Sequence, residues 1–161
     1  MRLNLLILTL ITVQRLGELG LSNRNTKRLL AAGAHEVGAS HYPLMIMIHA
    51  GWLASLWWYA PGQHIEWFWL TIFILFQAAR AWMFVSLGRR WTTRIIVLEG
   101  APLVRKGPYR YVDHPNYLIV LGEIASLPLS FGLWKIALLF SLANGAILAV
   151  RIREEDRALG R

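Results

Sequence analysis

A chain of 161 residues is the length of one domain. Apolar residues make up 56% of it and charged ones 16%, which departs from soluble proteins toward membrane proteins. The net charge of +8 could suit nucleic acid, but it is gathered in blocks between apolar runs, and the absence of cysteine excludes disulfides and a thiolate metal site. The five histidines show no H-x-x-x-H spacing, so no metal is predicted.

Five apolar stretches each approach the roughly 20 residues of a spanning helix. The first runs from Leu3 to about Leu21 and is interrupted by Gln14, Arg15 and Glu18. Arg2 followed by LNLLILTLITV could open a secretory signal, but QRLGEL follows instead of a small-residue cleavage site. The stretch therefore reads as a mature helix. The second is Tyr42 to Ala60 and the third Ile65 to Leu87. Between the third and fourth lies the one sizeable polar segment, where RIIVL, EGAP and LVRK read as a short β-hairpin. Gly107-Pro108 then turns the chain into the fourth stretch, Asn116 to about Gly132, in which Pro128 should kink or end a helix. The fifth, Leu133 to Val150, follows almost without a loop, so the last two form a tight antiparallel hairpin. Several of the eight Trp fall near the ends of these runs, where an indole suits a membrane interface. The predicted fold is thus an all-α integral membrane protein of about five transmembrane helices, with a short connector before the fourth. It forms one domain over 1–161, with three helices in 1–87 and the connector, hairpin and tail in 88–161.

Lysine and arginine placement orients it. Arg15, Arg24, Lys27 and Arg28, then Arg89, Arg90, Arg94, Arg105, Lys106 and Arg110, then Arg151, Arg153, Arg157 and Arg161 all fall on one side. The other side holds only Arg2 and Lys135, while Arg80 lies within a span. The positive-inside rule puts the N-terminus outside and the C-terminus in the cytoplasm. This charge then serves topology and contact with anionic membrane lipids rather than nucleic acid.

Polar residues inside spans are functional candidates, because insertion costs an ionisable group roughly 2.5 to 3.5 kcal/mol. Asn116 and Glu123 lie seven residues apart, on one stripe of the fourth helix. Asn116 reads as the cap of that helix. For Glu123 two readings stand, an ion pair with another helix or a functional carboxylate. His114-Pro115 precedes the helix: Pro115 is a normal start, and His114 can either be a satisfied interfacial residue or donate to a ligand. In the terminal RIREEDR, Arg151 reaches Glu154 and Glu155, and Arg153 reaches Asp156. Intrahelical pairing is the ordinary reading, and a charged lid over a pocket the functional one. Asn144, mid-span, would line the same interior. Arg15 with Glu18, and Gln77 with Arg80, are each spaced at three residues and read as helix-to-helix pairs. His35, His41, His49 and His64 carry no pattern that assigns them.

GPYRYVDHPNY, Glu123 in the following helix, a helical hairpin and a closing RIREED resemble the isoprenylcysteine carboxyl methyltransferase family. These are integral-membrane enzymes that use S-adenosylmethionine. The N-terminal half, QRLGELGLSNRNTKRLLAAGAHEVGASHYPLMIMIHAGWL, is similar to a bacterial branch associated with type III polyketide synthases, whose members O-methylate alkylpyrones or alkylresorcinols. Where the pattern often has a basic residue before the histidine, this chain has Asp113. The resemblance implies a bacterial cell-membrane enzyme with a cytoplasmic cofactor pocket between the connector and the last two helices, and a lipophilic substrate entering from the bilayer. It implies cofactor contacts from Tyr109, Tyr111, His114, Pro115, Asn116, Tyr117, Glu123 and Asn144. Arg151 would orient the substrate oxygen, and Glu154 or Glu155 would bind cofactor or take a proton. The acceptor would be a carboxylate or a phenolic or enolic hydroxyl. Three rivals are phospholipid N-methylation, an NADPH-dependent reductase resembling the steroid reductases, and a membrane scaffold whose polar residues merely pair helices. No G-x-G-x-x-G follows a strand, so a soluble dinucleotide-type cradle is absent.

Overall fold

The computed structural model describes residues 2–160; Arg161, counted above among the basic residues, lies outside them. Helix α1 spans Arg2–Ala31, α2 Tyr42–Tyr59, α3 Trp67–Leu87, α4 Pro115–Ser130 and α5 Trp134–Leu159. Three helical stretches, Arg2–Ala31, Trp67–Arg90 and Trp134–Leu159, are long and apolar enough to cross a membrane. The molecule is an all-α membrane protein, as its composition predicts. Helices α2 and α4 have 18 and 16 residues, about 27 and 24 Å at 1.5 Å per residue, short of a hydrocarbon core of about 30 Å.

Apolar faces meet in one core. Leu8 and Ile11 of α1, Trp52 and Leu56 of α2, Leu70 and Phe73 of α3, and Ile124, Leu127 and Phe131 at α4 are all buried in it. Helices α3 and α4 approach closely, because Gly122 leaves room for the Phe76 ring that any β-carbon would strike. Pro128 sits in the last turn of α4, which ends two residues later. Leu133 donates its N–H to the Pro128 carbonyl at 2.9 Å, and Gly132 adopts φ 70°, which closes the α4–α5 hairpin. The same end of the bundle is tied by Asn4, whose Nδ2 donates to the carbonyls of Ala60 and Gln63 at 2.8 and 2.9 Å.

Two expectations change at the opposite end. α1 does not stop near Leu21 but continues as a helix through SNRNTKRLLA to Ala31. Three of its polar residues there, Ser22, Asn25 and Thr26, are buried, and two of them reach the chain beyond α3: Ser22 Oγ lies 2.8 Å from Thr93 Oγ1, and Asn25 Nδ2 donates to the Trp91 carbonyl at 2.8 Å. The anticipated hairpin over RIIVL and LVRK is absent. Instead β2, Ile95–Val97, pairs antiparallel with β1, His35–Val37, in the register His35↔Val97 and Val37↔Ile95. Local alternation marked one strand correctly but named the wrong partner. Its true partner lies between α1 and α2, where Arg94 secures it with two bonds to Glu36 at 2.8 and 2.9 Å and by lying 4.2 Å over the Tyr42 ring.

Candidate active site

Two polar clusters occupy different depths of the bundle. The deeper one joins three helices. Glu123 of α4 accepts from Arg15 Nη2 of α1 at 2.7 Å, from Arg80 Nε of α3 at 2.7 Å and from Gln77 at 2.8 Å, and Arg80 Nη2 closes a second bond to the carboxylate. Glu18 accepts from Arg15 at 2.8 Å and Arg80 at 3.2 Å, and Gln14 bridges Glu18 and Gln77. Two guanidiniums face two carboxylates, so the group is neutral as a whole and well supplied with hydrogen bonds, the condition for keeping charge out of water. The three-residue spacings within α1 and α3 put each pair on one helical face. Glu123 thus has the ion-pair environment that was the structural alternative for it.

The second cluster gathers where the connector meets α4 and α5. A 3-10 turn over Gly107–Arg110 and the non-helical His114 lead into α4, with buried Pro115 in its first turn. His114 is the N-cap residue and no side chain caps the helix, so Asn116 is not the cap; it lies one residue inside, facing a cavity. His114 Nε2 lies 3.0 Å from Asp156 Oδ1 and its Nδ1 3.4 Å from Glu155 Oε2. Tyr117 donates its hydroxyl to Glu155 at 2.7 Å and stacks on the His114 ring, the centroids 5.4 Å apart. Arg151 is buried below them. It does not pair with Glu154 or Glu155 but donates to the Thr93 carbonyl at 2.8 Å and lies 5.9 Å over the Tyr117 ring. Geometry explains the choice: Glu155 is taken by α4, while Thr93 is held in front of Arg151 by Ser22 and Tyr42, whose oxygens are 2.8 and 2.9 Å from its own.

Two cavities border this cluster. A polar one of about 330 Å³ lies between the connector and the end of α5, lined by Arg90, Arg94, Tyr109, Tyr111, Tyr117 and Glu155 among others. Burial, and then the nearby Glu155 carboxylate, push the Tyr109 phenol well above its ordinary pKa, so it stays a hydroxyl donor. An apolar cavity of about 260 Å³ is walled by Leu16, Ile46, Trp52, Leu53, Val120 and Leu148, with Arg15, Arg80 and His49 along one side and Asn116, Tyr117 and Arg151 beside them. Tyr117 lines both cavities. The residues named from sequence therefore divide. Tyr109, Tyr111, Tyr117 and Glu155 line the polar cavity, Asn116 and Arg151 the apolar one, and His114 and Pro115 build the turn between them. Glu154 instead pairs with exposed Arg157 at 3.2 Å. Glu123 lines neither cavity, nor does Asn144, which is fully buried with neither amide atom bonded among the described residues. Thr93, Ser22, Tyr42 and His49 were not anticipated. The first three carry signal only through partners remote in sequence, and His49 only through the α2 stripe it shares with Met45 and Leu53.

Residues 69–161 match the model of the isoprenylcysteine carboxyl methyltransferase (ICMT) family. The chain is 38% identical to the uncharacterized protein YpbQ of Bacillus subtilis (strain 168), over 96% of this chain and 95% of that one. It is 28% identical to an uncharacterized protein of Haemophilus influenzae, over 90% of this chain and 88% of the relative. No solved structure matches it.

Proposed function

The chain belongs to the isoprenylcysteine carboxyl methyltransferase family, and on that premise we propose that it moves a methyl group from S-adenosylmethionine to an oxygen of a lipophilic acceptor drawn from the bilayer. The acceptor is a carboxylic acid of the isoprenylcysteine kind, or the phenolic or enolic hydroxyl of an alkylresorcinol or alkylpyrone. The observation that carries this reading is the pair of cavities, one polar and one apolar, meeting at Tyr117. A water-soluble donor and a lipid-soluble acceptor need two such compartments with a common border. Catalysis faces the cytoplasm in this reading, because the connector and its basic residues lie on the side the positive-inside rule assigns there.

The polar cavity has the donor groups and volume for this cofactor. Its cations Arg90 and Arg94 suit the amino-acid carboxylate, the Glu155 carboxylate suits the ammonium or ribose hydroxyls, and the faces of Tyr109 and Tyr111 suit the adenine. S-adenosylmethionine, when bound, supplies a methyl group on sulfonium sulfur, whose C–S bond breaks as the acceptor oxygen bonds to carbon. The protein's own part is positional. Arg151, pinned by the Thr93 carbonyl, presents a fixed cation to the acceptor oxygen at the edge of the apolar cavity. Tyr117 and Glu155 form a hydrogen-bonded pair at the border, and the carboxylate can take a proton from a hydroxyl acceptor through the phenol. A carboxylate acceptor is already ionised and needs none. The apolar walls keep water from both.

Incubating membranes that contain the protein with labelled S-adenosylmethionine and a panel of lipophilic acids, phenols and pyrones tests the reading. Label in an ester or ether supports it. Label in a phospholipid amine, or binding of NADPH in place of S-adenosylhomocysteine, replaces it with one of its rivals.

A further inference from the structure

A third cavity, about 510 Å³ and open to solvent, lies at the end of α3. Leu87, Arg90 and residues 102–105 form a wall it shares with the polar cavity. Five cations surround it: Arg28 from the polar extension of α1, Arg89 and Arg90 from the turn after α3, and Arg105 and Lys106 from the connector. Among the described residues none of the five is in an ion pair, whereas Arg15, Arg80, Arg94 and Arg157 all are. Among the described residues only Arg90 of the five has a side-chain hydrogen bond, donating to the Pro102 carbonyl at 2.7 Å. Like charges concentrated around a concavity, with no Asp or Glu among its described lining residues, form an anion site.

Its surroundings identify the anion. The apolar stretch of α3 ends at Leu87 and Arg89 and Arg90 follow it directly, so the cavity opens where hydrocarbon gives way to water. Trp82 and Val85 lie on one face of the last turns of α3 and are 50% and 84% exposed, and the Trp82 indole lies beside Gly107, next to Lys106. Leu103 adds an exposed apolar edge from the connector. A phosphate at the cations would therefore continue into an apolar strip running toward the membrane interior. We infer that this cavity binds the phosphate of an anionic phospholipid, with an acyl chain lying along Trp82 and Val85.

Segment 102–105 belongs to no helix or strand. It is held by Arg90 at one end and at the other by Gly107, where a β-carbon would strike Ser86. A bound lipid phosphate relieves the repulsion among Arg89, Arg105 and Lys106 and so braces the wall of the polar cavity. The brace rests on the methyl-transfer reading; the lipid site does not.

Native mass spectrometry of the purified chain, offered phosphatidylglycerol and phosphatidylcholine in competition, tests the site. The intact protein should retain phosphatidylglycerol preferentially. Arg89→Gln with Arg105→Gln and Lys106→Gln should weaken that retention about 100-fold, at roughly fivefold for each cation near an anionic surface. Arg89→Lys with Arg105→Lys preserves charge and should keep the preference, which separates lost binding from lost folding. Equal retention of the two lipids by the intact protein overturns the inference, as does a preference that survives the triple glutamine change. Displacement of phosphatidylglycerol by equimolar inorganic phosphate assigns the site to a free anion and overturns the lipid. For the brace, S-adenosylhomocysteine should bind several-fold tighter in phosphatidylglycerol-containing bilayers than in phosphatidylcholine alone, and equal affinity removes it.

Discussion

Helix α4 carries both polar clusters, and they differ in what their charges touch. Around Glu123 the partners are side chains of α1 and α3, the carboxylate is fully buried, and it borders neither site cavity. Around Tyr117, two turns nearer the connector, the carboxylates are part-exposed, the partners come from the chain's last helix, and two cavities open beside them. The first arrangement uses its hydrogen-bonding capacity to join helices where no water can do so. The second leaves capacity facing space. Arg15, Glu18 and Arg80 of the first arrangement do border the apolar cavity, but their charges are satisfied by one another. An ionisable residue in a span therefore marks a binding site only where it both meets a void and keeps capacity to face it.

Substitutions can break that contrast or sharpen it. Glu123→Ala takes the main carboxylate from buried Arg80 and part-buried Arg15, leaving Glu18 to serve both, and should cost about 3 kcal/mol, seen as a marked fall of the unfolding midpoint in detergent. A variant as stable as the parent would mean the network does not hold the helices. Arg151→Ala should reduce methyl transfer about 100-fold, the scale of a misplaced reactant, while the chain still folds in detergent. Full activity there would remove Arg151 from the site. Tyr117→Phe deletes a hydrogen bond to a carboxylate and should weaken S-adenosylhomocysteine binding about tenfold by calorimetry, with folding retained; unchanged affinity would place the donor elsewhere. Glu154→Ala breaks only an exposed pair with Arg157 and should shift stability by less than about 0.5 kcal/mol. A large loss of activity in that variant would move the proton acceptor from Glu155 to Glu154.

Much of this architecture can be read along the chain, because an apolar run of about 20 residues has few alternatives in a bilayer. α3 begins within two residues of the stretch expected to form it and ends with it, and the α4–α5 hairpin lies at the near-absent loop between the fourth and fifth stretches. The Arg15–Glu18 and Gln77–Arg80 spacings likewise announced helix-to-helix pairing. What stayed hidden depends on contacts between distant segments. The last ten residues of α1 look like a polar loop until Ser22 and Asn25 find Thr93 and Trp91. β2 looks like half of a local hairpin until β1, some sixty positions earlier, takes its edge. Glu123 could have served either cluster, since position along a helix does not reveal which neighbours face it. Arg151 was visible as a candidate at the end of the fifth stretch, expected to reach Glu154 and Glu155, but its anchor is a backbone carbonyl, which no sequence pattern displays.

Calorimetric titration of S-adenosylhomocysteine into three purified proteins, the parent, Glu155→Ala and Glu154→Ala, decides whether the connector-side cavity is the donor site. Binding should be present in the parent, lost or strongly weakened in Glu155→Ala and intact in Glu154→Ala. Failure of the parent to bind, or equal binding by all three, would contradict it.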